Sequence, residues 1–300
     1  MADQEIELKL QVADASVWPE ILQCPFLRAA ARPGSRHQER LEAWYYDTAD
    51  GRLRQQGLAY RVRRERGQWV ATVKGGGSSA GGLHQRMEIN QPVTGPEADV
   101  SVFTDQALRE RLVQAVGQDK LVPILITRFD RDLVVIEADG AVIEVAADQG
   151  EIIAGGRQAP ILEVELELKS GHPAVLLRAG AKLATAFPLL LEPRSKFVRG
   201  LLLAGQPAVL EPAGSEQPVS GRVQQLLSLL VEQWQQSPYT GALLAGLFRL
   251  QQALAERPEY AAFRQPLASW IEDLNRGIQP DLTRTVPLLL EVWARTLQPG

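Results

Sequence analysis

Up to about Leu203 the chain reads mainly in steps of two. Glu5-Ile6-Glu7-Leu8-Lys9-Leu10 alternates charged with apolar residues, the pattern of a strand with one polar and one apolar face. LEAWYYDT is aromatic-rich, and GLAYRVRRERGQWVATVKGG predicts a hairpin that turns near Glu65-Arg66-Gly67. LHQRMEINQPV, LVPILITRFDRDLVVIEADGAVIEVAAD and PILEVELELKSG add further strands. Helical spacing in this region is expected at 17–27, 102–116 and 173–187. Many antiparallel strands with a few helices predict an α+β domain built on a large or closed sheet.

The texture then changes. AGQPAVLEPAGSEQPVSG, residues 204–221, is rich in Pro, Gly, Ala and Ser and reads as a linker. Beyond it every segment has helical period, with Pro238, Pro258 and Pro280 as separators. The organisation expected is therefore a strand-rich domain at 1–203, a linker at 204–221 and a bundle of roughly four helices at 222–300, with Trp234, Trp270 and Trp293 in the bundle core.

Composition narrows the class. Of 300 residues 45% are hydrophobic and 23% charged, as in a folded globular protein. The formal net charge of -4 supplies no global basic field, so neither nucleic acid nor an anionic membrane is an expected partner. A single cysteine, Cys24, excludes an intrachain disulfide and a cysteine-based zinc site; it reads as a small core residue. With no apolar run long enough to span a bilayer and an acidic start, a cytoplasmic protein is expected. His37 and His172 read as surface residues and His84 as peripheral.

The charges on the predicted strands are sorted by type. Glu5, Glu7 and Lys9 share a face, as do Arg61 and Arg63, Thr72 and Lys74, Arg86 and Glu88, Glu144 and Asp148, and Glu163, Glu165 and Glu167. One reading is a sandwich with its charged face in water. The other is a closed barrel lined by charge, with Leu8, Leu10, Val62, Val164 and Leu166 facing outward under helices; parity alone does not choose between them. The second reading has a chemical logic. Clustered carboxylates call for a cation, and hard oxygen donors select Mg²⁺ or Mn²⁺. Clustered Arg and Lys call for an anion, and Arg matches phosphate oxygens bidentately. Together they suit a metal–polyphosphate complex.

These residues, in this order, resemble the CYTH superfamily of triphosphate tunnel metalloenzymes. Glu5-Ile6-Glu7-Leu8-Lys9 resembles its ExExK signature, YYDTADGRLRQQGLAYRVRRE its Arg-x-Arg segment, WVATVKG its Thr-x-Lys strand, HQRMEIN its Arg-x-Glu strand, ILEVELELKSG its Glu-x-Glu-x-Glu strand, and PRSKFVRG its Ser-Lys-x-x-Arg-Gly ending. GGLHQR and DQGE, with a helical part after the CYTH part, are similar to bacterial inorganic triphosphatases.

The resemblance implies a closed eight-stranded antiparallel β-barrel wrapped by helices, with a charged tunnel, followed by a small C-terminal α-helical bundle. It implies metal-dependent hydrolysis of inorganic triphosphate to pyrophosphate and phosphate. Glu5, Glu7, Glu163, Glu165 and Asp148 are then the expected metal ligands, for Mg²⁺ or Mn²⁺. Glu88 either completes the metal shell or acts beside Glu5, Glu7, Lys9 and Lys74 in catalysis. Lys9, Arg61, Arg63, Lys74, Arg86, Arg131, Lys196 and Arg199 are the expected triphosphate contacts. In such proteins the helical part is a CHAD domain linked to polyphosphate. Residues 222–300 contain no Lys and no His, so a structural or homodimerising bundle is expected instead. Thiamine triphosphate hydrolysis and cyclisation of ATP are the enzymatic alternatives, and a non-catalytic polyphosphate- or nucleotide-binding scaffold is the other. A nucleophilic set of Ser195, His84 and Asp47 has no supporting spacing. KGGGSSAGGL, 74–83, lacks the phosphate-loop ending and reads as a hairpin tip at the tunnel mouth, a candidate lid.

Overall fold

A computed structural model describes residues 3–80, 83–207, 219–236 and 240–298. The alternating segments form eight long strands: β1 (Asp3–Val12), β2 (His37–Asp47), β3 (Leu58–Glu65), β4 (Gln68–Ala80), β5 (Leu83–Val93), β6 (Val122–Ala138), β7 (Ala141–Ala154) and β8 (Arg157–Ser170). They pair antiparallel in the order β5-β4-β3-β2-β6-β7-β8-β1, and β1 pairs back onto β5, so the sheet closes into a barrel. A short ninth strand, β9 (Leu189–Leu191), pairs with the end of β1 at Leu10–Val12.

The turn between β3 and β4 lies at Arg66 and Gly67, both with positive φ (45° and 83°), the two-residue turn that the sequence signalled. In β4 the register shifts between Gly75 and Gly77, and Gly76 takes φ 56°, a bulge conformation that a side chain would strain. The tip of this hairpin, at 81–82, lies outside the described residues, and with it the lid expectation.

Helices cover the barrel on two sides. α4 (Pro173–Ala186) lies on the outer face of β1, β7 and β8, where Leu8, Leu10, Val164 and Leu166 point away from the lumen. α9 (Leu282–Thr296) packs along α4, and Leu289, Leu290 and Trp293 belong to the same apolar cluster as Leu8 and Leu166. The approach is closest at Gly180: a Cβ there would lie 2.3 Å from Leu8 Cδ2 and 3.6 Å from Leu290 Cδ1. α6 (Val219–Gln236), α7 (Thr240–Leu254) and α8 (Ala261–Asn275) complete the helical part. On the opposite side α2 (Arg52–Gln55) and α3 (Gln106–Val116) cover Tyr60, Val62 and Val73 on the outer face of β3 and β4.

The remaining differences from the sequence reading have local causes. The helix expected at 17–27 is a 3-10 stretch, Ala15–Gln23, followed by α1 (Pro25–Ala30), because Pro25 has no N–H to continue the first and suits the start of the second. The helix expected from 102 begins at Gln106, where the Asp105 carboxylate caps the Leu108 N–H at 2.8 Å. α6 begins at Val219, and the linker at 208–218 lies outside the described residues. Cys24, Trp270 and Trp293 are buried, and the side chain of Trp234 lies outside the described residues. Among the described residues no helix is long and apolar enough to cross a membrane.

Candidate active site

Closure of the sheet decides the question of parity. The apolar faces of β1, β3 and β8 meet helices, so the charged faces point into the lumen. Antiparallel register then sets charge against charge: Lys9 opposite Glu165, Glu7 opposite Glu167, Arg131 opposite Asp148, Asp148 opposite Glu163, and Lys74 opposite Glu88. The lumen holds a cavity of about 440 Å³ lined by all of these side chains except Asp148 and Glu163. On the β2, β6, β7 and β8 side the same inward faces turn apolar farther along, at Leu41, Ala43, Leu125, Phe129, Ile152 and Ile161. α5 (Lys196–Leu203) packs there, started by Ser195, whose hydroxyl accepts from the Val198 N–H at 3.2 Å.

One cluster gathers around β7 and β8. Asp148 and Glu163 are fully buried and Glu165 nearly so, and an oxygen from each lies within 4.8 Å of the others. Lys196 donates to all three, at 2.7, 2.6 and 2.8 Å. Arg131 makes a two-pronged contact to Asp148 at 2.7 and 2.6 Å and a third to Glu165 at 2.5 Å. Lys9 reaches Glu163 at 3.2 Å, Glu7 at 3.0 Å and also Glu165. Arg199 meets Glu163 at 2.5 Å. Burial works against the ionised forms of Lys196, Lys9 and Glu165, and the opposite charges outweigh it: Lys196 and Lys9 are held above the ordinary lysine range and Glu165 well below the carboxylate range.

A second cluster lies on β1, β4 and β5. Lys74 donates to both oxygens of Glu5, at 2.7 and 2.9 Å, and sits 3.2 Å from Glu88, with Arg61 3.9 Å away from Glu88. Burial pushes the Glu5 carboxyl up to about 7, against the pull of Lys74. For Glu88 burial pushes the same way, but Lys74 and Arg61 prevail and hold it at about 2. Arg63, buried and facing Arg61 and Arg131, is pushed down to about 9.

Residues 3–201 match the family model of the CYTH domain. The chain belongs to the CYTH family. The chain is 34% identical over 205 residues to an inorganic triphosphatase of Haemophilus influenzae, an alignment covering 68% of this chain and 56% of that protein. The chain thus spans about half the length of the curated relative it matches. Among solved structures, a Hippeastrum protein described as revealing a dominant triphosphatase activity is 18% identical, covering 70% of this chain and all (100%) of that one at a TM-score of 0.47. A Pyrococcus horikoshii protein is 19% identical, covering 67% and 99% at 0.41.

In this CYTH chain all the site residues expected from the sequence except Arg199 line the cavity or, like Asp148 and Glu163, are hydrogen-bonded to residues that do; Arg199 reaches it through Glu163. The five expected metal ligands do not form one group. Asp148, Glu163 and Glu165 are gathered; Glu7 borders them through Lys9; Glu5 belongs to the Lys74–Glu88 cluster. Three buried carboxylates with converging oxygens are a hard donor set that fits a divalent cation. His84, expected at the periphery, is buried at 2% exposure and lines the cavity. His172 is exposed and caps α4. Asp47 is committed elsewhere: its carboxylate accepts from the backbone N–H groups of Thr48, Leu53 and Arg54, so it builds the turn into α2.

Sequence reasoning missed the aromatic part of the site. Phe129 lies beneath the Lys196 ammonium at 4.8 Å and the Arg131 guanidinium at 5.5 Å, and Tyr45 stacks on Phe197 at 5.5 Å. The signal was present for Phe129, which shares parity with Arg131. It also missed Asn90, which shares parity with Glu88 and accepts from the Thr72 hydroxyl at 2.7 Å.

Proposed function

We propose that this protein hydrolyses inorganic triphosphate to pyrophosphate and phosphate, with Mg²⁺ or Mn²⁺, inside the barrel. The observation that carries the reading is a buried trio of carboxylates held by Lys196 and Arg131, which line one cavity together with further guanidinium and ammonium groups. Asp148, Glu163 and Glu165, with Glu7 beside them, would hold the divalent cation, and a bound cation would supply Lewis-acid neutralisation of phosphate oxygens. Arg61, Arg63, Arg86 and Lys74 bind and orient the triphosphate, with Lys9, Arg131, Lys196 and Arg199 setting the carboxylates in place. Glu5 is the carboxylate suited to take the proton of the attacking water, because its carboxyl sits at about 7, near neutrality. Glu88, at about 2, stays ionised and anchors Lys74.

Inorganic triphosphate is favoured over a nucleotide or thiamine triphosphate because the rings lining the cavity are engaged: Tyr45 with Phe197, and Phe129 with two cations. The same proposal places the barrel domain at 1–203 and the helical part at 222–300, in the cytoplasm, with the helical part as structural core or homodimer contact, which sedimentation would test. The deciding experiment measures phosphate released from inorganic triphosphate, thiamine triphosphate, ATP and long-chain polyphosphate, each with Mg²⁺, Mn²⁺ or chelator. Metal-dependent release from inorganic triphosphate, abolished by Glu163→Gln in a folded protein, is expected. Binding without hydrolysis of any of the four would replace the enzyme by a scaffold.

A further inference from the structure

The cationic side chains on the strands around the cavity meet polar partners of different kinds. Arg131 is bracketed by Asp148 and Glu165, Arg63 by Glu65, and Lys74 by Glu5 and Glu88. Arg86 is different. Among the described residues it makes no ion pair; its guanidinium Nη2 lies 2.7 Å from Nδ1 of His84. A guanidinium has donors only, so Nδ1 accepts, and an imidazole that accepts there is neutral, with its proton on Nε2. The two residues stand at i and i+2 of β5, on one face, and both line the cavity. The other side of the ring faces the backbone of Glu192, the residue whose own N–H donates to the Lys9 carbonyl at 3.0 Å. The ring is thus held between the chain that leads into α5 and the guanidinium. Burial, reinforced by Arg86, pushes the imidazole down to about 3, in keeping with the neutral form.

We propose that His84 is the positioning residue for Arg86, a neutral acceptor that fixes the guanidinium in the cavity without cancelling its charge. A carboxylate in the same place would orient Arg86 equally well but neutralise it. An apolar residue would leave the charge and lose the direction. The pair makes Arg86 a preorganised receptor for one end of a polyanion, which rests on the triphosphate reading above.

The test uses His84→Asn, which keeps a neutral acceptor, His84→Leu, which removes it, and His84→Glu, which adds charge. Binding of tripolyphosphate to metal-free protein is measured by calorimetry, kcat and KM with Mg²⁺, and folding by thermal melts. His84→Asn should bind within about threefold of the unaltered protein, and His84→Leu and His84→Glu should each bind about tenfold or more weakly, with the loss in KM more than in kcat. In an Arg86→Ala background His84→Leu should have no further effect. Equal losses for Asn, Leu and Glu, or a full effect of His84→Leu without Arg86, would make His84 a packing residue and overturn the assignment. Should His84→Glu and His84→Leu both fail to fold, His84→Asn measured with and without Arg86 decides by the same criterion. Unaltered protein that binds no tripolyphosphate would overturn the triphosphate reading itself.

Discussion

Glu5 offers a way to separate function from stability in this cavity. Its carboxyl is raised from 4.5 to about 7, chiefly by burial, so the fold holds the proton more tightly than the unfolded chain does. The sign follows: the stabilisation that Glu5 brings in its protonated form is whole below pH 4.5 and is lost as the pH climbs through 7. A shift of that size corresponds to about 3 kcal/mol at full ionisation. Glu5→Gln keeps the shape and an acceptor for Lys74, which retains Glu88 as its ion partner at 3.2 Å. The variant should therefore melt several degrees above the unaltered protein at pH 8 in chelator, at roughly 2 °C or more per kcal/mol, with the advantage shrinking towards pH 5. Hydrolysis should fall by about a hundredfold or more, through loss of the base. Scanning fluorimetry on the buried tryptophans at the two pH values, beside a phosphate-release assay, reads both. A variant that melts lower than the unaltered protein at pH 8, or by the same margin at both pH values, would refute the reasoning.

Other perturbations are equally specific. Lys196→Met leaves Asp148, Glu163 and Glu165 buried with one fewer cation, and should cost about 3–5 kcal/mol in chelator with much of it restored by Mg²⁺ in denaturant titrations. Because the Arg63 guanidinium is pushed down to about 9, affinity for tripolyphosphate should fall as the pH rises through 9, and Arg63→Gln should flatten that limb in calorimetric titrations. Gly180→Val sets a side chain against Leu8 and Leu290 and should destabilise by about 1–3 kcal/mol in chemical denaturation, loosening β1 and α9 together.

How much of this was readable from residues alone differs between the strands and their arrangement. Period-two alternation marked β1, β3, β4 and β8 and put Glu5 with Glu7, Arg61 with Arg63, and Glu163 with Glu165, because a pleated strand sends every second side chain to the same face. Pro25 and Asp105 were also in plain sight, yet the helix starts they impose are cap geometries that hydrophobic period does not resolve. The sequence by itself therefore determined which charges share a face, the hairpin turning near Glu65-Arg66-Gly67, and the helical character of the segments that follow the linker. Only the closed sheet decided which face is the lumen. Pairing of β1 with β5, residues some eighty positions apart, turns Leu8 and Leu10 out to α4 and the charges in. Register across that closure also decided that Glu5 stands with Lys74 and Glu88 while Asp148 gathers with Glu163 and Glu165. The reason is physical: parity is a property of one strand, whereas burial, and with it the pKa of Glu5 and the neutrality of His84, depends on what the other seven strands and α5 bring within a few ångströms.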